Sequence, residues 1–329
     1  MGRRGFFAAA AVAAGAVTIT VAPRSSAAPV ALGAPADTHR YPGYRGADFD
    51  LPYARYMQPR TARAQQHVLD AVAAPPLPAA AVTRFDDITR DLAATGTSAV
   101  ETGYGQGADG VVFVAARTEM PGVTAAMWDW WFGWHSTEAA RYKLWHPDAH
   151  QYASLATDLT GTSLPDTQKY IGNTTYVDEY VGPKLQQLGI NFRDPVAHGF
   201  TVPADQTVVF GRVGSSIAPV DLGWLAHQVR PTDGGAEMRS RFHLNLRGLH
   251  VPDLTQAANA IARGASVDPT DLQLGLDLGR DLMLHCGQER TTSRSSCRSC
   301  TRNSRAEISR STSNLSIPTP WTRARPTSG

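Results

Sequence analysis

The 329-residue chain is 42 % hydrophobic and 18 % charged, with a formal net charge of +2, a length that suffices for one or two packed domains. Three cysteines, Cys286, Cys297 and Cys300, are too few for a disulfide scaffold, and the single long apolar run, at the start, excludes a multi-pass membrane protein. The charge is uneven: residues 1–36 and 290–329 carry +3 and +7, leaving −8 on residues 37–289, so the body lacks the basic stripe expected of a nucleic-acid binder.

At the start, Gly2-Arg3-Arg4-Gly5-Phe6-Phe7 precedes an alanine-rich apolar run to Val21 and the small residues Ser26-Ala27-Ala28. Charged, apolar and small residues in that order make an export signal, here spanning residues 1–36. The adjacent arginines before Phe6-Phe7 resemble a twin-arginine signal. The expectation is export to the periplasm or beyond, with cleavage near Ala28. The run is too short and too rich in Ala and Gly for a stable membrane anchor.

Residues 37–115 predict a small, mostly helical N-terminal region. A Pro-, Tyr- and Arg-rich lead-in is followed by helical stretches at Thr61–Ala73 and Ala79–Ala94, separated by Pro75, Pro76 and Pro78. Gly105, Gly107 and Gly110 have the spacing of a dinucleotide fingerprint. A strand (Val111–Ala115) follows these glycines instead of preceding them, which sets nucleotide binding aside.

From residue 116 the pattern is α+β. A helix is expected within Thr124–Ala140, and strands at Thr174–Val181, Gln206–Arg212, Gly223–Arg230 and Glu237–Leu246. Asp233-Gly234-Gly235 is a hairpin signal between the last two. Asp268-Pro269 suits the start of a C-terminal helix, with Leu272, Leu276, Leu282, Met283 and Leu284 at roughly helical spacing. After Glu289 the chain turns Ser-, Thr- and Arg-rich and can bury no core. Cys297 to Arg305 can be back-translated so that a one-base shift reads Leu-Pro-Glu-Leu-Tyr-Ala-Glu-Phe-Ala, an amphipathic helix ending. Residues 290–329 are therefore read as a disordered basic tail produced by a frameshift.

Several residue groups could carry chemistry. His285 and Glu289 are four apart on the expected helix and so share a face; an imidazole and a carboxylate there suit zinc or a similar divalent cation. His135 closes a segment with four Trp in seven residues, Trp128 to Trp134, which could wall a pocket. His146 and His150 are also potential ligands, but Pro147 breaks a helical register between them, and they read as structural. In the strand Tyr176–Val181, Asp178 and Glu179 point to opposite faces, so only one can face a cavity. His227 lies within another strand. No Gly-x-Ser-x-Gly elbow or His-Glu-x-x-His motif is present.

The stretches Trp130–His150, Val177–Gly182, His227–Phe242 (with Arg239-Ser240-Arg241-Phe242) and Leu282–Glu289 together resemble the 2,4-diacetylphloroglucinol hydrolase family. The resemblance implies a helix-grip domain over residues 116–289, a curved antiparallel sheet around a long C-terminal helix. It also implies cleavage of the carbon–carbon bond between an acyl group and a phenolic ring. It places a zinc site of two His and two Glu on His135, Glu179, His285 and Glu289, and an active-site histidine on His227. Trp131 and Trp134 would wall the substrate pocket. Met127, Glu138 and Phe242 stand where the family uses Tyr and Asn, which points to a different substrate. The expected partner is a small aromatic acyl-phenol, with a homodimer as a possible assembly. A non-catalytic carrier of aromatic ligands and a truncated pseudoenzyme are the competing readings.

Overall fold

A computed structural model of the chain describes residues 43–217, 220–249 and 274–289. The export segment, the helix start at Asp268-Pro269 and the basic tail all lie outside these residues. Helix α1 (Gln66–Ala73) and the single turn α2 (Ile88–Asp91) precede strands β1 (Gly103–Gln106) and β2 (Val112–Pro121). Helices α3 (Ala125–Trp134) and α4 (Ala139–Lys143) lead to β3 (His150–Leu155) and α5 (Asp166–Tyr170). Strands β4 (Thr174–Val181), β5 (Lys184–Arg193), β6 (Thr207–Ser215), β7 (Val220–Thr232) and β8 (Gly235–Leu249) follow. Residues 276–289 form helix α6.

All eight strands join one antiparallel sheet in the order β1-β2-β8-β7-β6-β5-β4-β3. Strands β3 to β8 are a meander; β8 then pairs with β2, and β1 forms the outer edge. The β7–β8 hairpin turns at Asp233-Gly234, between the paired Thr232 and Gly235. Gly234 takes φ 85° there, a left-handed conformation that glycine adopts without penalty. The spaced glycines at 105, 107 and 110 serve the β1–β2 hairpin, where the Gly107 carbonyl accepts from the Gly110 amide at 3.0 Å. The boundary expected after residue 115 falls inside β2, because β2 pairs with β8 along its whole length.

The helix expected over Ala79–Ala94 is broken into two short 3₁₀ turns, Ala79–Ala81 and Phe85–Asp87, and α2. The physical reason is competition for its carbonyls. His243 Nε2 lies 3.0 Å from the Thr83 carbonyl, Gln228 donates to the Leu92 carbonyl at 2.9 Å, and Arg239 donates to the Asp91 carbonyl at 2.9 Å. Side chains on the outer face of the sheet thus take the acceptors a continuous helix would use.

That outer face is a polar clamp. On β8 the period-2 alternation sends Arg239, Arg241 and His243 outward and Met238, Ser240 and Phe242 inward. Arg239 and Arg241 are 1 % and 0 % exposed. Arg239 Nε lies 3.0 Å and Arg241 Nη2 3.2 Å from Glu101 Oε2, and Arg241 also pairs with Asp91. Below them Ile88, Leu92, Phe200, Val208, Phe210 and Ala226 form a small apolar cluster.

The inner face carries the main core. Helix α6 lies on it at close range: a Cβ at Gly279 would come within 2.8 Å of the Val112 side chain, and one at Gly287 within 2.7 Å of Val68. Both positions therefore need glycine for packing, α6 against β2 and against α1. Among the described residues, no helix is long and apolar enough to cross a membrane.

Arg241→Met should lower the unfolding free energy in urea by ~3–5 kcal/mol, because it strands the Asp91 carboxylate and leaves Glu101 with Arg239 alone. A loss below about 1 kcal/mol would show that the clamp does not hold the 83–101 segment to the sheet.

Candidate metal centre

His150 opens β3 and is directly opposite Glu179 on β4 in the strand register. The turn before it is closed by the amides of Ala149 and His150 on the His146 carbonyl, at 3.1 and 2.9 Å. Helix α6 brings His285 and Glu289, one turn apart, to the same place. His150 Nε2 lies 3.4 Å from His285 Nε2, 3.3 Å from Glu289 Oε1 and 3.6 Å from Glu179 Oε2. His285 Nε2 lies 3.6 Å from Glu289 Oε1 and 3.9 Å from Glu179 Oε2. Donor atoms of His150, His285 and Glu289 all fall within 4.8 Å of one another. All four side chains are buried.

The far nitrogens of both imidazoles are tied down. His150 Nδ1 is 2.8 Å from the Tyr142 carbonyl and His285 Nδ1 is 3.1 Å from the Tyr180 carbonyl. A carbonyl only accepts, so each Nδ1 carries the proton and each Nε2 offers its lone pair to the cluster. The Tyr142 hydroxyl donates to Glu179, and its ring stacks on His150 at 3.6 Å.

Electrostatics give the cluster its chemistry. Burial pushes the Glu289 carboxyl up to about 7. Burial, with His285 and His146 nearby, holds His150 well below the usual imidazole range. Burial acts to lower His285 too, but the Glu289 and Glu179 carboxylates outweigh it and raise it. Among the described residues, the ion-pair partners of Glu179 and Glu289 are these histidines and no Lys or Arg. Two carboxylates and two neutral imidazoles in a dry site are the donor set a divalent cation of the zinc type neutralises. The residues present fit that group.

Three of the four expected ligands, Glu179, His285 and Glu289, meet here. The fourth expected, His135, does not. It sits on the 3₁₀ turn after α3, with Nδ1 2.7 Å from the Trp131 carbonyl and Nε2 3.3 Å from Ser136 Oγ. Its ring lies between Trp131 (4.9 Å) and Tyr142 (5.8 Å), and Tyr142 in turn stacks on His150. His135 is thus one aromatic layer away, and burial lowers its pKa to about 3. His150, read from sequence as structural because of Pro147, takes the place instead. The helical register Pro147 interrupts is irrelevant, since His150 reaches the cluster from the first position of a strand.

Beside the four residues lies a half-open pocket, lined by Phe132, Tyr142, Trp145, Phe192, His227 and Phe242 among others. His227 faces it from β7, with Nδ1 2.7 Å from Ser240 Oγ, its register partner on β8. Burial lowers His227 to about 4. Of the five expected pocket residues, Phe242 lines it, 5.5 Å from His227 ring to ring. The other four do not line it. Trp131 lies behind His135. Trp134 stacks on Trp130 at 5.0 Å and under Arg141 at 4.6 Å. Glu138 accepts from the Tyr53 hydroxyl at 2.7 Å and pairs with Arg141 at 3.1 Å. Met127 is half-buried on the first turn of α3. Tyr142 and Trp145, which do line it, carried no sequence signal beyond their aromatic neighbours.

Two outcomes follow. Elemental analysis should find that His150→Ala and Glu289→Gln lose bound metal while His135→Asn keeps it; metal retained in His150→Ala would return the fourth ligand to another side chain. Protonation of His227 is favoured in the unfolded chain, at its ordinary 6.5, over the folded one, at about 4. Its contribution to stability is therefore complete above pH 6.5 and is lost as pH falls toward 4. His227→Asn should flatten that part of the stability–pH curve; an unchanged curve would mean His227 is not held neutral by burial.

Residues 82–294 match the family model of the DAPG hydrolase PhiG domain. The chain is 30 % identical over 196 residues to phloretin hydrolase of Eubacterium ramulus, covering 56 % of this chain and 68 % of that protein. It is 31 % identical over 150 residues to 2,4-diacetylphloroglucinol hydrolases of a Pseudomonas species and of Pseudomonas protegens. Those alignments cover 43 % of this chain and 51 % and 49 % of the two proteins, about half their length. The family match takes in β1 to β8, α6, all four clustered residues and His227. The chain belongs to the DAPG hydrolase PhiG domain family.

Proposed function

We propose that this chain hydrolyses the carbon–carbon bond between an acyl group and a phenolic ring, using a zinc ion held by His150, Glu179, His285 and Glu289. The observation that carries this reading is the convergence of two Nε2 lone pairs and two carboxylates at the edge of an aromatic pocket. The relatives named for phloretin and 2,4-diacetylphloroglucinol support it, since both compounds are acylated phenols. The sheet lying along α6 agrees with a helix-grip fold.

The chemistry such a cation supplies is Lewis acidity toward the acyl carbonyl and toward water. The protein supplies position and proton traffic. Phe132, Trp145, Phe192 and Phe242 seat an aromatic ring by stacking and exclude bulk water. His227 is neutral at working pH. Ser240 bonds both His227 Nδ1 and the Cys286 sulfur. With the Nδ1 proton given to Ser240 and the Ser240 hydroxyl turned to sulfur, His227 Nε2 is an acceptor facing the ring.

His227 takes the phenolic proton and delivers it to the ring carbon bearing the acyl group, giving a ring ketone. Water oxygen bonds to the acyl carbon. The acyl–ring bond breaks, its electron pair passing into the ring ketone as an enolate. That enolate, a phenolate, takes the proton water gave up. A carboxylic acid and a deacylated phenol leave.

The test is formation of the deacylated phenol from 2,4-diacetylphloroglucinol and from phloretin. His227→Asn should keep its metal and lose ~10²–10⁴-fold in kcat, and chelation should abolish turnover. Full kcat in His227→Asn would remove its proton role, and full turnover after chelation would remove the metal-dependent reading.

A further inference from the structure

A second, half-open space lies between α6 and the inner face of strands β4 to β8. Its walls include Leu188, Val213, Leu222, Leu244, Leu274 and Leu278, and of its lining residues only Glu179 and Gln186 are polar. It adjoins the aromatic pocket: Glu179, Ile190, Leu225, Phe242 and Leu282 line both. The wall they share therefore includes Glu179 of the clustered residues.

The two spaces differ in chemistry. The aromatic pocket offers ring faces, His227 and the clustered donors. The annex offers aliphatic surface and almost no hydrogen-bonding side chain, so a hydroxylated ring placed there would lose its hydrogen bonds to water without replacement. An alkyl chain would lose nothing. An acyl carbon carries a ring on one side and its alkyl chain on the other. With the ring stacked near His227 and the carbonyl at the donors, the chain leaves past Leu282 toward the annex.

Resting on the hydrolase reading above, we propose that this annex receives the acyl tail, so that the substrates are phenols bearing a long alkyl acyl group, beyond acetyl. Each methylene entering it contributes ~0.8 kcal/mol, about a fourfold gain in affinity.

The test separates tail binding from chemistry. Dissociation constants of 4-alkylresorcinols, which have no bond to hydrolyse, are measured on the purified full-length protein by tryptophan fluorescence for chains of two, four, six and eight carbons. In parallel, kcat/KM is measured for acylphloroglucinols of the same acyl lengths. Affinity should rise about fourfold per methylene until the annex is filled, and kcat/KM should follow. Leu278→Trp, at a half-buried position, should flatten the rise. Leu278→Ala should extend it to longer chains, which decides the matter even if the Trp variant fails to fold. Affinity independent of chain length, or a rise that survives in folded Leu278→Trp, would overturn the annex. A clear rise with no hydrolysis of any acyl compound would support the annex while sinking the hydrolase reading.

Discussion

Two buried carboxylates set the terms for this molecule. Glu179 and Glu289 are buried and, among the described residues, have no Lys or Arg paired to them. A dry charge is tolerated only when neutralised and hydrogen-bonded. Everything around them serves that requirement. Two histidines turn their Nε2 lone pairs inward because backbone carbonyls hold their Nδ1 protons. Tyr142 donates its hydroxyl to Glu179, and burial beside the two carboxylates keeps that phenol protonated far above its ordinary range. A divalent cation held by these residues would complete the charge balance.

Building that site takes elements far apart in the chain. One of the four clustered residues comes from the end of a turn, one from a strand beside it, and two from a helix more than a hundred residues later. Their convergence depends on α6 lying almost in contact with the sheet and with α1, which Gly279 and Gly287 respectively permit. It depends also on the outer clamp. Strand β8 is gripped from behind by Arg239 and Arg241, and its inward residues Ser240 and Phe242 present His227 and shape the pocket. A single period-2 strand thus anchors the fold on one side and tunes the site on the other.

The aromatic layering behind the site explains how close readings can diverge. Trp131, His135, Tyr142 and His150 form a stack of rings, with successive centroids 4.9, 5.8 and 3.6 Å apart. His135 and His150 occupy the same stack, one layer apart, and only the layer that meets α6 touches the carboxylates. The tryptophans of α3 therefore support the pocket from behind, while Phe132 of the same helix, with Trp145 and Phe192, forms its surface.

The sequence by itself determined whatever depends on local periodicity. His285 and Glu289 share a helical face because of 3.6-residue spacing. Glu179 is buried and Asp178 less so because strands alternate. The Asp-Gly turn joins β7 and β8 because few residues accept its dihedrals. The aromatic-His segment and the His-Cys-x-x-Glu segment are also enough to place the chain in its family. Only the tertiary structure decided which histidine completes the cluster, because that is fixed by the β3–β4 register and a ring stack, and neither leaves a periodic trace. The same holds for the 79–94 segment, where helical propensity lost its carbonyl partners to side chains of strands more than a hundred residues away. Long-range contacts override local preference wherever a buried polar group must find its partner.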